Sequence, residues 1–173
     1  MSELATVAAL YVEEGGAYYG IPGVDPWPES RDARGYAGPH PVVAHPPCER
    51  WGGVLEHPEG SHAFRRFSLA IPPRRGGWVA CIDGGWTCCV EQGHYGHPAR
   101  KATWLYAHGV QTPELVWGPS SGRRLDEGFH TAAERRRART QGIRPRSRLS
   151  RRECASTPPA FRDALLALAR GAR

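Results

Sequence analysis

Apolar positions along this chain fall in short runs rather than in long periodic stretches. Residues 6–12 (TVAALYV), 41–45 (PVVAH), 52–58 (GGVLEHP) and 103–110 (TWLYAHGV) are each bounded by Gly, Pro or polar residues. Runs of that length read as strands, the most continuous of them buried on both faces. WVACI and WTCCVE flank Asp83-Gly84-Gly85, which predicts a β-hairpin. The glycines at 15, 16, 20 and 23, with Pro22 and Pro26, predict an irregular connection after the first strand.

Helical stretches are brief. Residues 29–37 predict one short helix closed by Gly38-Pro39, and 61–69 another stopped by Pro72-Pro73. Residues 129–141 are helical in pattern with an Arg-covered surface. In the final stretch Phe161, Leu165 and Leu168 share one helical face with Ala169 beside them, which predicts packing on the core. Ser156 or Thr157 serves as its N-cap and Gly171 as its exit. Strands interleaved with short helices predict an α/β domain with an inserted hairpin.

Composition sharpens this picture. The chain of 173 residues fits one compact domain. Its 21 Gly and 16 Pro predict abundant loops, and Leu, Ile, Val and Phe are scarce for a folded domain. Six Trp and six Tyr supply buried area instead. No run approaches the ~18 apolar residues of a membrane span. The first residues lack the basic start of a signal peptide, and five cysteines make an odd count, so a reducing cytoplasm is expected.

The net charge of +6 is local. Residues 134–152 hold nine Arg against one Glu, and the remainder of the chain is slightly acidic. Clustered Arg favours phosphate contact, with Arg135, Arg136, Arg144 and Arg146 as candidate DNA-binding residues; a solvated arm is the alternative.

Two apolar runs end in compact polar clusters, AHPPCE at 44–49 and LEHPE at 55–59. Ligand crevices of open α/β sheets lie at the carboxyl ends of strands, where Cys48 and Glu56 then stand. A thiolate nucleophile and a proton donor are the chemistry those residues offer. A zinc site is the competing class, from His45, Cys48, Cys81, Cys88, Cys89, His94 and His97, but no Cys-x-x-Cys pair is present and no metal is expected. Trp51, Trp78, Trp86 and Trp104 are expected in the core, and Trp27, in the proline-bounded DPWPE, in an exposed loop suited to a base contact.

PVVAHPPC resembles the nucleophile loop of DNA cytosine-5 methyltransferases, in which a strand runs into Pro-Pro-Cys. GGVLEHP is similar to the family's Glu-Asn-Val segment, HYGHPARKATWLY to its Tyr-Gly-x-Pro-Gln-x-Arg-x-Arg segment, and LSRRECA to a late Pro-Arg-Glu segment, all in the family's order. The likeness is to small phage and prophage proteins of this type. It implies a reduced, Rossmann-like sheet, with Cys48 adding to C6 of a flipped cytosine and Glu56 acting at N3. It further implies S-adenosylmethionine as methyl donor near Gly15, Gly16 and Asp25, and double-stranded DNA as partner, with Arg100 and Lys101 supporting the base or phosphates. Ala99 and Thr103 stand where the family has Gln and Arg, and its Phe-x-Gly-x-Gly loop is absent. A non-catalytic DNA-binding or interaction protein of methyltransferase descent is the alternative.

The expected layout is a core over 1–128, an Arg-rich helix and linker over 129–155, and a terminal helix over 156–173. Only seven residues separate Cys48 from Glu56, and a parallel crossover takes about a dozen or more. The run at 52–58 is therefore expected to pair antiparallel, to pair elsewhere or to leave the sheet.

Overall fold

The computed structural model describes residues 5–44, 53–122, 132–142 and 149–171. Its strands are β1 (Val7–Leu10), β2 (Val24–Trp27), β3 (Val42–Ala44), β4 (Gly53–Pro58), β5 (Val79–Ala80), β6 (Trp86–Glu91) and β7 (Ala102–His108). Its α-helices are α1 (His62–Arg66), α2 (Ala132–Thr140), α3 (Arg151–Ala155) and α4 (Pro159–Arg170). Among the described residues no helix is long and apolar enough to cross a membrane.

The strands form one mixed sheet in the order β2-β1-β3-β4-β7-β6-β5. The first four run parallel, and β7 lies antiparallel between β4 and β6. The fold is α/β, and the expected hairpin is present as β5 and β6. The chain reverses its progression across the sheet between β1 and β3, the position at which open α/β sheets form a crevice.

Sheet faces follow from strand alternation. Val7, Ala9, Val43, Val54, Cys88, Val90, Leu105 and Ala107 share a buried cluster with Phe161, Leu165 and Leu168 of α4. The opposite face carries Ala8, Leu10, Val42, Ala44 and Leu55, covered by Ala33 and Tyr36. Further along that face, Phe64 of α1 packs with Cys89 and Trp104. Strands β1 and β3 are buried at every position, which four- and three-residue runs achieve with few aliphatic side chains.

Three expectations are corrected. Strand β2 occupies part of the stretch read as irregular and as a loop; it is an edge strand, where Pro26 costs no ladder hydrogen bond. The short helix over 29–37 is two 3-10 turns, Glu29–Arg31 and Ala33–Gly35, joined at Asp32, whose φ of 45° interrupts the helix. The run at 52–58 does pair parallel with β3, Val42 opposite Gly53 and Ala44 opposite Leu55.

That pairing is possible because the overlap is so short. From Ala44 the chain returns about 7 Å along the strand and about 5 Å across, well within the ~26 Å reach of eight residues. The rule of a dozen residues assumes longer strands and a crossover helix. Close approach also explains Gly53, where a Cβ would stand 2.1 Å from the Val42 carbonyl oxygen.

Candidate functional site

The pairing register brings Gly15, Gly16, Glu56, Arg100 and Lys101 of the sequence-selected positions toward one end of the sheet. Leu10 and Ala44 end β1 and β3 in one row with Leu55, beyond which β4 continues to Pro58 against β7 alone. The glycine turn leaves β1 there, β3 ends there at Ala44, and Glu56 lies one residue past Leu55. Antiparallel β7 begins at this end, just after Arg100 and Lys101, and β6 finishes here in the 3-10 turn Gln92–Tyr95.

Glu56 points to the α4 face, as does Val54 two residues before it. It is 8% exposed, and its Oε1 accepts a hydrogen bond from Gln92 Nε2 at 2.7 Å. The same nitrogen donates to Thr103 Oγ1 at 3.0 Å, and Thr103 Oγ1 donates to the Lys101 carbonyl at 3.1 Å. Tyr18, buried in the turn between β1 and β2, also faces this carboxyl; burial first, and then the Glu56 charge, push its phenol up.

Lys101 is half-buried beside Glu56. Burial pushes its ammonium down, and the Glu56 charge partly offsets this. Its Nζ donates to the carbonyls of Ala155 and Ser156 at 3.2 and 2.7 Å, closing the C-terminal end of α3. His97 joins it there: Nδ1 accepts the Ala99 amide, and Nε2 donates to the Glu153 carbonyl at 3.0 Å. Helix α3 itself starts in a capping box between Ser150 and Glu153. LSRRECA is therefore docked against the segment HYGHPARK, although the two are some fifty residues apart in sequence.

Cys48, the expected nucleophile, lies outside the described residues, as do His45, Trp51, Arg144 and Arg146. The described cysteines 81, 88, 89 and 154 are free thiols. Burial pushes Cys88 up, and pushes Cys89 up to about 11, so neither is a ready thiolate. His57 points to the opposite face from Glu56, with Nδ1 at 3.1 Å from Ser61 Oγ. Among the described residues no three His, Cys, Asp or Glu side chains are grouped to share a metal ion.

Gly15 has a φ of +67° and open space where a Cβ would stand, in a turn closed by Gly16 N donating to the Glu13 carbonyl. Gly15 is exposed, and a Cβ at Gly16 would stand 2.8 Å from the Glu13 carbonyl oxygen, so the turn itself calls for glycine there. Asp25 does not fit the cofactor contact expected of it. It lies within β2 on the Tyr36 face, its Oδ2 accepting from Trp27 Nε1 at 2.7 Å and its Oδ1 from Arg31 at 2.6 Å. Partial burial raises its carboxyl, but those two hydrogen bonds outweigh it and hold the group below the usual carboxylate range. Trp27 is engaged too, edge-on to Tyr36 and beneath the Arg31 guanidinium at 4.1 Å, rather than in an open loop.

The Arg-rich stretch is partly described. Arg136, Arg137 and Arg139 are exposed on α2, and Arg135 belongs to the same helix. Arg100 is exposed, its Nε donating to the Gly122 carbonyl at 3.0 Å.

Sequence reasoning missed Gln92, Thr103 and Tyr18. Gln92 follows the apolar run WTCCVE, which closes at Glu91, and opens the 3-10 turn at this end of the sheet. Comparison of the chain with protein-family models, curated proteins and solved structures gives no match.

Proposed function

We propose that the protein is a DNA cytosine-5 methyltransferase-like enzyme of phage type, built on a reduced Rossmann-like sheet. One observation carries the reading. Glu56 is a buried, amide-held carboxyl on β4, one residue past the last parallel pair with β3, and β3 ends at Ala44, four residues before Cys48 in the sequence. The crossover point between β1 and β3, and the open glycine turn beside it, support it further.

In this reading the target cytosine is flipped from the duplex, because its ring carbons are unreachable within the stack. The Cys48 thiolate adds to C6 and forms a carbon–sulfur bond. The electron pair of the 5,6 double bond shifts through the ring toward N3, which takes a proton from Glu56. C5 of the resulting enamine is nucleophilic. The Gly15–Gly16 turn would hold S-adenosylmethionine, whose methyl group C5 would take up as the sulfur–methyl bond breaks and S-adenosylhomocysteine departs. Loss of the C5 proton to a base then expels the thiolate, and N3 returns its proton to Glu56. The exposed Arg residues of α2 hold the DNA backbone.

The second reading, a DNA-binding protein of the same descent without turnover, is favoured by one observation: Asp25 is taken up by Arg31 and Trp27. Calorimetric titration with S-adenosylmethionine, followed by transfer of labelled methyl groups into random-sequence duplex DNA, separates the two. The enzyme reading expects saturable cofactor binding and labelled 5-methylcytosine. DNA binding with no cofactor binding and no label leaves the second reading standing.

A further inference from the structure

We propose that Gln92 is the positioning residue of this site, fixing the Glu56 carboxyl in the orientation from which it gives up its proton. The inference rests on the reading of Glu56 as the acid. Gln92 is fully buried, and its backbone is held from two sides: its N–H donates to the Lys101 carbonyl at 3.2 Å, and its carbonyl accepts from His97 N at 3.1 Å. With the backbone fixed, the amide has little freedom.

The direction of that amide is set by its neighbours. Thr103 spends its hydroxyl hydrogen on the Lys101 carbonyl, so it offers Gln92 only an acceptor, and the Glu56 carboxylate does the same. The NH2 end must face both. Gln92 Oε1 is left buried with no hydrogen-bond partner among the described residues.

The residue type also suits the task. Arg or Lys at this place would hold Glu56 ionised, and a carboxylate would repel it. A neutral amide orients the carboxyl and leaves its proton exchangeable. Among the described residues, Tyr18, whose phenol also feels Arg162 and Asp163 of α4, and Lys101, whose ammonium also bonds to the end of α3, face Glu56 as well. Cys88 of β6 lies on the same face as a buried thiol. Among these, Gln92 is the neutral donor with a 2.7 Å bond to the carboxyl.

The test uses the full chain, Gln92→Met and Thr103→Val. Carbon-13 NMR of protein labelled at the glutamate carboxyl carbons, with Glu56→Gln for assignment, gives the titration midpoint of Glu56. Trapping on duplex DNA containing 5-fluorocytosine, with S-adenosylmethionine, gives the pH dependence of adduct formation. Loss of a donor to the ionised form raises the midpoint. We expect Gln92→Met to raise it, to move the matching limb of the pH profile with it, and to slow trapping by about tenfold or more. Thr103→Val should shift both the same way by less, and it carries the test if Gln92→Met does not fold. An unmoved midpoint and profile overturn the proposal, whatever happens to melting temperature. Wild-type protein that forms no adduct defeats the chemistry assigned to Cys48 and Glu56 instead, while the midpoint still decides whether Gln92 holds Glu56.

Discussion

Lys101 Nζ donates to the Ser156 carbonyl at 2.7 Å, joining the start of β7 to the C-terminal end of α3. Its positive φ of 38°, unusual for a residue with a side chain, belongs to the arrangement that brings it there beside Glu56. A five-residue helix has little stability of its own, so this tie and that of His97 decide whether α3 stays formed. Lys101→Met should speed amide exchange at Cys154 and Ser156 by about tenfold, because the charge-assisted cap is removed. Hydrogen exchange read by mass spectrometry checks it; unchanged exchange across residues 150–156 would contradict the tie.

Gly53 opens β4 where two parallel backbones come closest. A methyl group there would meet the Val42 carbonyl oxygen, so Gly53→Ala must push β3 and β4 apart. We expect a loss of about 1–3 kcal/mol in urea unfolding, in the range of other overpacked sites. A neutral substitution would mean that β3 and β4 do not pair in this register.

Asp25 gives a pH prediction. Its carboxyl is held below the usual range in the folded protein, so it adds stability above the unfolded value near 3.9. That contribution is lost as the pH falls through the lower folded value. The wild type should exceed Asp25→Asn in urea midpoint at neutral pH, and the gap should close between about pH 4 and pH 2. A gap that persists at pH 2 would show that the carboxylate charge is not its source.

The basic segment makes a prediction about salt. Replacing Arg135, Arg136, Arg144 and Arg146 by Gln should flatten the plot of log affinity against log salt by about 0.9 for each phosphate that the variant no longer neutralises. Fluorescence anisotropy with labelled duplex DNA measures this. An unchanged slope would assign the segment to solvent.

Much of the fold is legible in the chain because its strands are short, continuous apolar runs. Residues 6–12, 41–45 and 52–58 became β1, β3 and β4, and the face of Phe161, Leu165 and Leu168 became the buried side of α4. Helix α4 starts at Pro159 with Pro158 at its cap, two or one residues after the expected Ser156 or Thr157. Strand β2 was hidden by Pro26, which only an edge position tolerates. Helix α3 was hidden by its length, though Ser150-x-x-Glu153 is a capping-box signature.

For the site, Glu56 was legible from a rule about strand ends. Gln92 and Thr103 were not, because their roles depend on β6 and β7 returning beside β4, and neither was Tyr18, which faces Glu56 from the turn between β1 and β2. Asp25 illustrates the converse. An acid in the right stretch of sequence is committed elsewhere once Trp27 and Arg31 fold over it.

The chemistry assigned to Cys48 and Glu56 is the central claim, and 5-fluorocytosine tests it most directly, since fluorine cannot leave C5 as a proton does. Wild-type protein incubated with S-adenosylmethionine and a random-sequence duplex pool carrying 5-fluorocytosine should yield a denaturation-resistant adduct that peptide mass mapping assigns to Cys48. Cys48→Ser should yield none, and Glu56→Gln should form it at least about a hundredfold more slowly. No adduct from wild type that binds both cofactor and DNA, or an adduct that survives in Cys48→Ser, would contradict the account.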